Sequence, residues 1–355
     1  MSLALAAMSG YNCFMHDIIA IGSTTIDSFW KTDFKLVVSK EAPSGRAISI
    51  PFGEKYGVED VTFTLGGNAA NASVTFARQG FRTALFTRIG RDSLGGEVKR
   101  RLAAEKVSES LVEYSKDKST SFSVLLLQEG ERSILTHHGA INDFTLKNVD
   151  LRELKSRFWY VSLPGESYRE FDRLLEYAAK NKIGVALNPS YKQLTGTGRA
   201  KLLKHIKQIS FLVLNDGEAA SLVGLPFSRH KKVFQKLDEL VPGVVAVTSG
   251  PEGVMVSDGE FIYRAGIFKE KKIVDRTGAG DAFGSGFLAG LLNQKWDGRK
   301  KADPAALEYA IRLASANATS VVEQIGATPG ILTKREFESN PRWKKIKIEA
   351  QKVQN

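Results

Sequence analysis

The chain has 355 residues, and its 43% hydrophobic and 25% charged composition is that of a globular protein large enough to bury a sizeable core. Its net charge of +11 comes without a basic-aromatic recognition module, and no run of about 20 apolar residues is present to span a bilayer, so we expect no nucleic-acid or membrane partner. The single cysteine, Cys13, excludes an internal disulfide and favours the reducing cytoplasm.

The chain opens with a segment that lacks the basic start and continuous apolar core of a signal peptide. We expect residues 1–14 to be a disordered extension before a domain that spans 15–332. Residues 17–22 form an apolar run that ends in glycine, as a buried parallel strand does. Asp27 follows closely, where it either accepts hydrogen bonds from ligand hydroxyls beyond the strand or serves as a turn residue.

Two stretches contain short β-prone runs between turns and show no helical period. The first, residues 29–65, contains Lys35–Val38, Ala47–Ile50 and Val61–Leu65. The second, residues 120–137, contains two apolar runs around a Glu-Gly-Glu turn. Because they interrupt a chain of alternating strands and helices, we expect the two stretches to form one small sheet that projects as a lid.

A glycine pair, Gly66 and Gly67, precedes a predicted helix that Gly80 ends. The pair lets a ligand approach the backbone closely. Asn68 and Asn71 follow, and their amides are suited to neutral hydroxyl groups, although both residues are equally suited to capping the helix.

The remaining chain alternates between the two kinds of element, which predicts an α/β fold with a doubly wound, mainly parallel sheet flanked by helices. The predicted strands are Thr83–Thr87, Phe158–Ser162, Ile183–Leu187, Phe211–Leu214 and Val244–Thr248, followed by a hairpin within Val254–Tyr263. The predicted helices are Ser93–Ala104, Arg169–Ala179, Arg199–Ile206, Gly217–Val223, Lys231–Leu240, Ala282–Leu292 and Ala305–Val322. Residues 333–355 form a basic C-terminal segment, for which we predict only a solvated surface.

Two strand ends carry residues of interest. Asn215 and Glu218, three residues apart at a helix start, offer oxygen atoms that suit the waters around Mg²⁺, and capping alone also explains them. Thr248, Gly250 and Gly253 form a turn after the next strand, which either borders a nucleotide or is purely structural.

The loop Asp275-Arg276-Thr277-Gly278-Ala279-Gly280-Asp281 leads into a helix of small and apolar residues. The first amides of a helix have no partner within it, so Gly278, Ala279 and Gly280 can present bare N–H groups to a phosphate. A carboxylate beside such an anion hole suits a base that takes a proton from an attacking hydroxyl. The loop therefore suggests phosphoryl transfer with Asp281 as the base, and the alternative that Asp281 only complements the helix dipole explains it equally well.

These motifs together resemble the ribokinase-like PfkB sugar-kinase family over about residues 17–332. The resemblance rests on four stretches in family order, namely Gly66–Asn71, Ala186-Leu187-Asn188-Pro189, Asn215–Glu218 and Asp275–Asp281. It implies an enzyme that transfers the γ-phosphoryl group of ATP to a hydroxyl of a small sugar, with a β-sheet lid that often contributes to a homodimer.

The resemblance also assigns roles to residues. It implies that Asp281 is the catalytic base and that the amides of Gly278 to Gly280 form the anion hole. Asn215 and Glu218 support Mg²⁺ and phosphate, while Asp27, Gly67 and Asn71 line the sugar site. The loop at Asp275 and Thr277 is where many members bind a monovalent cation such as K⁺, largely through backbone oxygens.

Departures from the family pattern leave the acceptor open. Ribokinases commonly have lysine where this chain has Asn68, and Arg276 replaces a frequent threonine, either adding charge near the phosphate or facing solvent. One alternative is a nucleoside kinase, in which lid aromatics stack on the base. The aromatics considered for this role are Phe29, Trp30, Phe63 and Phe122. A second alternative is an inactive sugar-sensing protein of the same fold.

Overall fold

The computed structural model describes residues 16–42, 44–129 and 131–353, so the expectation for residues 1–14 lies outside the described part of the chain. Within it, the apolar runs form the strands of one large sheet. These strands are β1 (His16–Gly22), β6 (Thr83–Ile89), β7 (Val112–Tyr114), β10 (Ser156–Ser162), β11 (Gly184–Leu187), β12 (Phe211–Asn215), β13 (Val244–Thr248), β14 (Val254–Ser257), β15 (Phe261–Ala265) and β16 (Ile348–Lys352).

The order of the large sheet is β16-β15-β14-β13-β12-β11-β10-β1-β6-β7. Seven neighbouring strands of this sheet are mutually parallel, namely β7, β6, β1, β10, β11, β12 and β13. The strands β14, β15 and β16 continue the sheet in antiparallel pairing at its other edge. Since parallel strands are connected by crossovers, helices cover both faces. The fold class predicted from the alternating pattern is confirmed.

The helices are α1 (Asn68–Arg78), α2 (Ser93–Ala104), α3 (Phe171–Lys180), α4 (Tyr191–Leu194), α5 (Gly196–His205), α6 (Asp216–Val223), α7 (His230–Leu240), α8 (Ala279–Asn293), α9 (Pro304–Val322) and α10 (Lys334–Ser339). Alternate residues of each central strand face opposite layers, as the two-residue period of a strand requires. Trp159 packs with the layer of α3 to α7, and its neighbour Tyr160 packs with the layer that contains α1, α8 and α9. Within the described ranges, no helix is both long and apolar enough to cross a membrane.

A separate four-stranded sheet, hereafter the lid, consists of β2 (Thr25–Lys31), β5 (Asp60–Gly66), β8 (Phe122–Gln128) and β9 (Glu131–His137), in the order β5-β2-β8-β9. The prediction that all the β-prone runs form one sheet is wrong for two of them. The runs β3 (Lys35–Val38) and β4 (Arg46–Ser49) pair only with each other as a two-stranded ribbon. The turn between them closes a local hairpin, and Val38 remains 91% exposed.

The basic C-terminal segment is more ordered than the expected solvated surface. It contains α10 and ends in β16, which pairs antiparallel with β15 along the edge of the large sheet. Ile346 and Ile348 pack against the core on the α8 and α9 side. This alternation of apolar and charged residues is typical of a half-buried strand. The strand was not predicted because the segment is rich in charged residues.

Candidate active site

The carboxyl ends of the parallel strands meet at one edge of the large sheet and carry the polar residues of the site. Ser162 ends β10, Asn188 follows β11, Asn215 ends β12 and Thr248 ends β13. The lid rises from the same edge, because β2 begins three residues after β1 ends. A cleft between the lid and the sheet edge is therefore lined by segments that are far apart in the sequence.

The helix α8 begins at Ala279, three residues earlier than predicted, and Gly278 precedes it as the N-cap with φ +78°. A Cβ at Gly278 would lie 2.3 Å from the Cβ of Ala327, so only glycine fits this position. Gly280 in the first turn is exposed, with open space where a side chain would be. The amides at this helix start consequently face the cleft, where an anion can approach them.

Asp281, in the same first turn, is half-buried at the base of the cleft. Asn71 Nδ2 donates a hydrogen bond to its Oδ2 at 2.9 Å, and Asn188 Nδ2 lies 3.5 Å from its Oδ1. Burial raises the pKa of Asp281 to about 6, the hydrogen bond from Asn71 opposes this rise, and the charge of Glu218 adds to it. A carboxylate with this pKa is ionised at neutral pH and is basic enough to accept a proton.

Asp27 lies within β2, so it is neither a turn nor a cap residue. It is 6% exposed and faces the cleft at the centre of a row of polar side chains that crosses the four lid strands. The register pairs Asp27 with Thr64 and Ser123, and Ser123 with Thr136. Burial raises the pKa of Asp27 to about 6, the Ser123 hydroxyl lowers it, and the charges of Asp275 and Asp281 raise it further. The row offers the cleft hydroxyl and carboxyl groups.

The start of α1 closes the other side of the cleft. A Cβ at Gly66 would lie 2.0 Å from Asp27 Oδ2, which explains the glycine pair by close contact. Gly67 is the N-cap of α1 and no side chain caps the helix, so Asn68 and Asn71 are free of the capping role. The exposed Asn68 donates to Ser162 Oγ at 3.2 Å, and buried Asn71 Oδ1 has no partner among the described residues. Both amides thus lie at the cleft.

Asn215 and Glu218 form a capping box at the start of α6, so the structural explanation of this pair is correct. Asn215 Oδ1 accepts from the Glu218 amide at 2.9 Å, and Glu218 Oε2 accepts from the Asn215 amide at 2.8 Å. The second carboxylate oxygen of Glu218 is left for other partners, and burial raises the pKa of Glu218. In the described ranges no cluster of three or more His, Cys, Asp or Glu is suited to hold a metal directly. The role of the pair in holding Mg²⁺ through water stays a prediction.

The carboxylate of Asp275 is buried in the loop before α8. Its Oδ1 accepts from the Thr277 amide at 3.0 Å and from Thr277 Oγ1 at 2.7 Å, and its Oδ2 accepts from the Gly326 amide at 3.2 Å. The guanidinium of Arg132, from lid strand β9, lies 3.6 Å from Oδ1. These contacts hold the carboxylate of Asp275 in place, and the binding of a monovalent cation at this loop stays a prediction.

An apolar cavity of about 270 Å³ lies next to the anion hole, between the turn after β13 and the helices α8 and α9. Its wall includes the predicted nucleotide-binding residues Thr248, Gly250, Gly253 and Gly280. Arg276 also lines it, with an exposed side chain. The other wall residues include Ile267, Ile273, Phe283, Ala318, Thr319 and Val322. A slot of this kind suits a flat apolar group such as a nucleotide base.

Several residues at the cleft were not predicted from the sequence. Asn188 follows the predicted strand at Ile183–Leu187, so the rule that ligands bind at strand ends was enough to find it. Thr64, Ser123 and Thr136 required the lid register, and the α9 wall of the cavity required the packing of α9 on α8. No local signal marks these residues.

The lid aromatics do not line the cleft. Strand alternation puts Ser28 on the face opposite Asp27, and Phe63 pairs with Ser28 on that outer face. By the same alternation Trp30 and Phe122 lie on the outer face. Phe29 shares the face of Asp27 but is only 2% exposed in the core.

Comparisons with known proteins identify relatives of the chain. A family model described as pfkB family carbohydrate kinase matches residues 15–334. A ribokinase of Haemophilus influenzae is 25% identical over 313 residues, which cover 85% of this chain and 96% of the relative. A cytidine kinase of Thermococcus kodakarensis is 26% identical over 314 residues, which cover 88% of this chain and 98% of the relative. The structure of Arabidopsis thaliana ribokinase complexed with ribose and ATP superposes with a TM-score of 0.73 at 22% identity, covering 93% of this chain and 99% of that one.

Proposed function

Since the chain belongs to the pfkB family of carbohydrate kinases, and is a phosphotransferase whose acceptor is a sugar or a nucleoside, we propose that it transfers the γ-phosphoryl group of ATP to a hydroxyl of a small neutral sugar. One observation carries this proposal. The carboxylate of Asp281 stands in the first turn of α8, beside the open amides at Ala279 and Gly280, and is oriented by Asn71 at 2.9 Å.

In the proposed reaction, Asp281 accepts the proton of the acceptor hydroxyl as that oxygen bonds to the γ-phosphorus, and the bond between the γ-phosphorus and the β-phosphate oxygen breaks to release ADP. The amides that follow Gly278 donate to the phosphoryl oxygens as negative charge develops on them. Glu218 and Asn215 would hold the water shell of a bound Mg²⁺, which would neutralise charge on the phosphates. The base of ATP occupies the apolar cavity bordered by Thr248 and Phe283.

The acceptor side favours a sugar. Asp27, Thr64, Ser123 and Thr136 form a polar row that matches the many hydroxyls of a small polyol. The lid aromatics that suit base stacking face away from this row, which weakens the nucleoside alternative. The negative charge of a phosphorylated acceptor would be repelled by the carboxylates of Asp27 and Asp281, which favours a neutral sugar over a sugar phosphate.

A screen of sugars, sugar phosphates and nucleosides tests the acceptor, with ADP release measured by a coupled assay. We expect turnover on one or a few neutral sugars and dependence on Mg²⁺. Turnover on nucleosides alone overturns the sugar assignment, and sugar binding without turnover on any acceptor supports an inactive sensor. Comparing potassium chloride with choline chloride at one ionic strength tests whether a monovalent cation acts through the loop at Asp275 and Thr277.

We further propose that the chain forms a homodimer through the outer face of the lid. The side chains of Phe63, Phe122 and Leu135 lie on this face, on three of the four lid strands, and are 52%, 38% and 62% exposed. Exposed apolar side chains that are spread over one face of a sheet are typical of a protein interface. Light scattering after size exclusion should give a dimer that the double variant Phe63→Ser/Leu135→Ser disrupts, and a monomeric parent would contradict the proposal.

A location in the cytoplasm remains a prediction from the cysteine content.

A further inference from the structure

The lid touches the phosphate side of the cleft through one ion pair. Arg132 belongs to β9, the edge strand of the lid, all of whose residues are exposed. By the lid register its side chain shares the face of Asp27, and its Nη1 lies 3.6 Å from Asp275 Oδ1. Arg132 therefore links the lid, which covers the acceptor, to the loop that precedes the anion hole.

Asp275 braces that loop from two sides. Its carboxylate accepts from Thr277, the residue immediately before the helix cap Gly278. It also accepts from Gly326, whose neighbour Ala327 packs against Gly278. A shift of the Asp275 side chain would consequently move Thr277 and Gly326, the two residues that it holds on either side of Gly278. The backbone amides that follow Gly278 would then change direction.

The charge on Asp275 also needs a counter-charge. The side chain of Asp275 is 1% exposed, and a buried carboxylate is unfavourable unless it is hydrogen-bonded and paired. Within the described ranges, Arg132 is the only cationic side chain within 4.0 Å of it. The charge of Asp275 also acts on Asp27, whose pKa it helps to raise. Removing the guanidinium would therefore leave the Asp275 carboxylate without its counter-charge and near another carboxyl group.

We propose that Arg132 is a positioning residue that holds Asp275, and with it the anion-hole loop, when the lid closes. Closing the lid over the acceptor then assembles the phosphate site in the same step. Phosphoryl transfer is in this way confined to the closed state, in which water is excluded. This inference rests on the proposed kinase function, and it assigns the coupling to one side chain of the lid.

The first test needs no acceptor. Hydrogen exchange of the backbone amides is measured in the parent, in Arg132→Ala, and in Arg46→Ala as the matched control. Arg46, in the ribbon strand β4, also pairs with a carboxylate, that of Glu129 after lid strand β8, but both partners are more than half exposed. We expect Arg132→Ala to speed exchange in residues 275–281 as well as in β9, and Arg46→Ala to leave residues 275–281 unchanged. Unchanged exchange at residues 275–281 in Arg132→Ala overturns the proposal even if the enzyme proves to act on another acceptor.

The second test uses kinetics on the acceptor that the screen identifies. Arg132→Ala should lower kcat about 10- to 100-fold, the loss expected when a positioning contact is removed, with a smaller change in KM for the acceptor. Arg132→Lys should recover most of this loss and Arg132→Gln should not, because the contact depends on charge. A loss confined to KM, or equal activity of the lysine and glutamine variants, would mean that Arg132 only supports the lid.

A double-mutant cycle with Asp275→Asn separates direct coupling from general damage. If the two side chains act on one another, the Arg132→Ala substitution should cost little in the Asp275→Asn background. Additive losses would contradict the proposal. Should Asp275→Asn fail to fold, the lysine and glutamine variants of Arg132 still decide the question.

Discussion

Replacing Asp281 by asparagine tests the proposed base most directly. Asparagine has the same size, and its side-chain oxygen can still accept the hydrogen bond that Asn71 donates at 2.9 Å, but it cannot take a proton. With its pKa near 6, the Asp281 carboxylate is mostly ionised at pH 7.5, so the parent has its base available in the assay. General-base catalysis contributes about 10²- to 10⁴-fold, or roughly 3 to 5 kcal/mol of barrier. We expect Asp281→Asn to lose turnover in that range.

The assay couples ADP release to a chromogenic reaction at saturating acceptor and ATP, and calorimetry measures ATP binding separately. Binding should change less than turnover, since the amides at Ala279 and Gly280 and the apolar cavity are unaltered. Asp117→Asn provides a control with the same chemical change at an exposed position away from the cleft. If folded Asp281→Asn binds ATP and keeps its rate within about threefold of the parent, well below the catalytic range, Asp281 is not the base.

Three further predictions concern the same cleft. First, kcat/KM should fall as the pH decreases through about 6, because Asp281 must be ionised to act as the base. The pKa of Asp27 is also raised to about 6, so the pH profile of kcat/KM is measured in Asp27→Asn as well. A profile that keeps its shape in this variant would assign the pH dependence to Asp281. Second, the folded parent holds a proton on Asp281 at pH values where the unfolded chain has lost it, so its stability decreases as the pH rises from about 4 to 6. Asp281→Asn should therefore be more stable than the parent at pH 7.5, by at most about 3 kcal/mol in urea unfolding, with the gain vanishing below about pH 4; an equal gain at all pH values would refute the raised pKa. Third, Arg276→Thr should weaken binding of ATP about tenfold and binding of adenosine little, because its charge acts on the phosphates. Unchanged binding of both ligands in calorimetry would mean that Arg276 faces solvent, and an equal loss for both would mean that it contacts the nucleoside; either result contradicts the prediction.

The sequence by itself determined the layered arrangement of helices and parallel strands in this protein and the kinds of polar side chain at the cleft. Apolar runs that end in polar residues predicted the parallel strands and the edge where Asn215 and Thr248 lie, since burial on both faces leaves a local pattern. The glycine-rich loop before Asp281 predicted a helix start with free amides, because this requirement is also local. These features were predicted because each depends on a few consecutive residues.

Only the tertiary structure decided which of these residues meet. Asn71 and Asp281 form a hydrogen bond although 210 residues separate them, and nothing near either residue encodes the contact. The lid register places Asp27 inward and Phe63 outward, and this choice depends on pairing between distant strands. Arg132 could be matched to Asp275 only once the lid was folded over the loop, because an ion pair between distant segments depends on how the layers pack and leaves no periodic pattern in either segment.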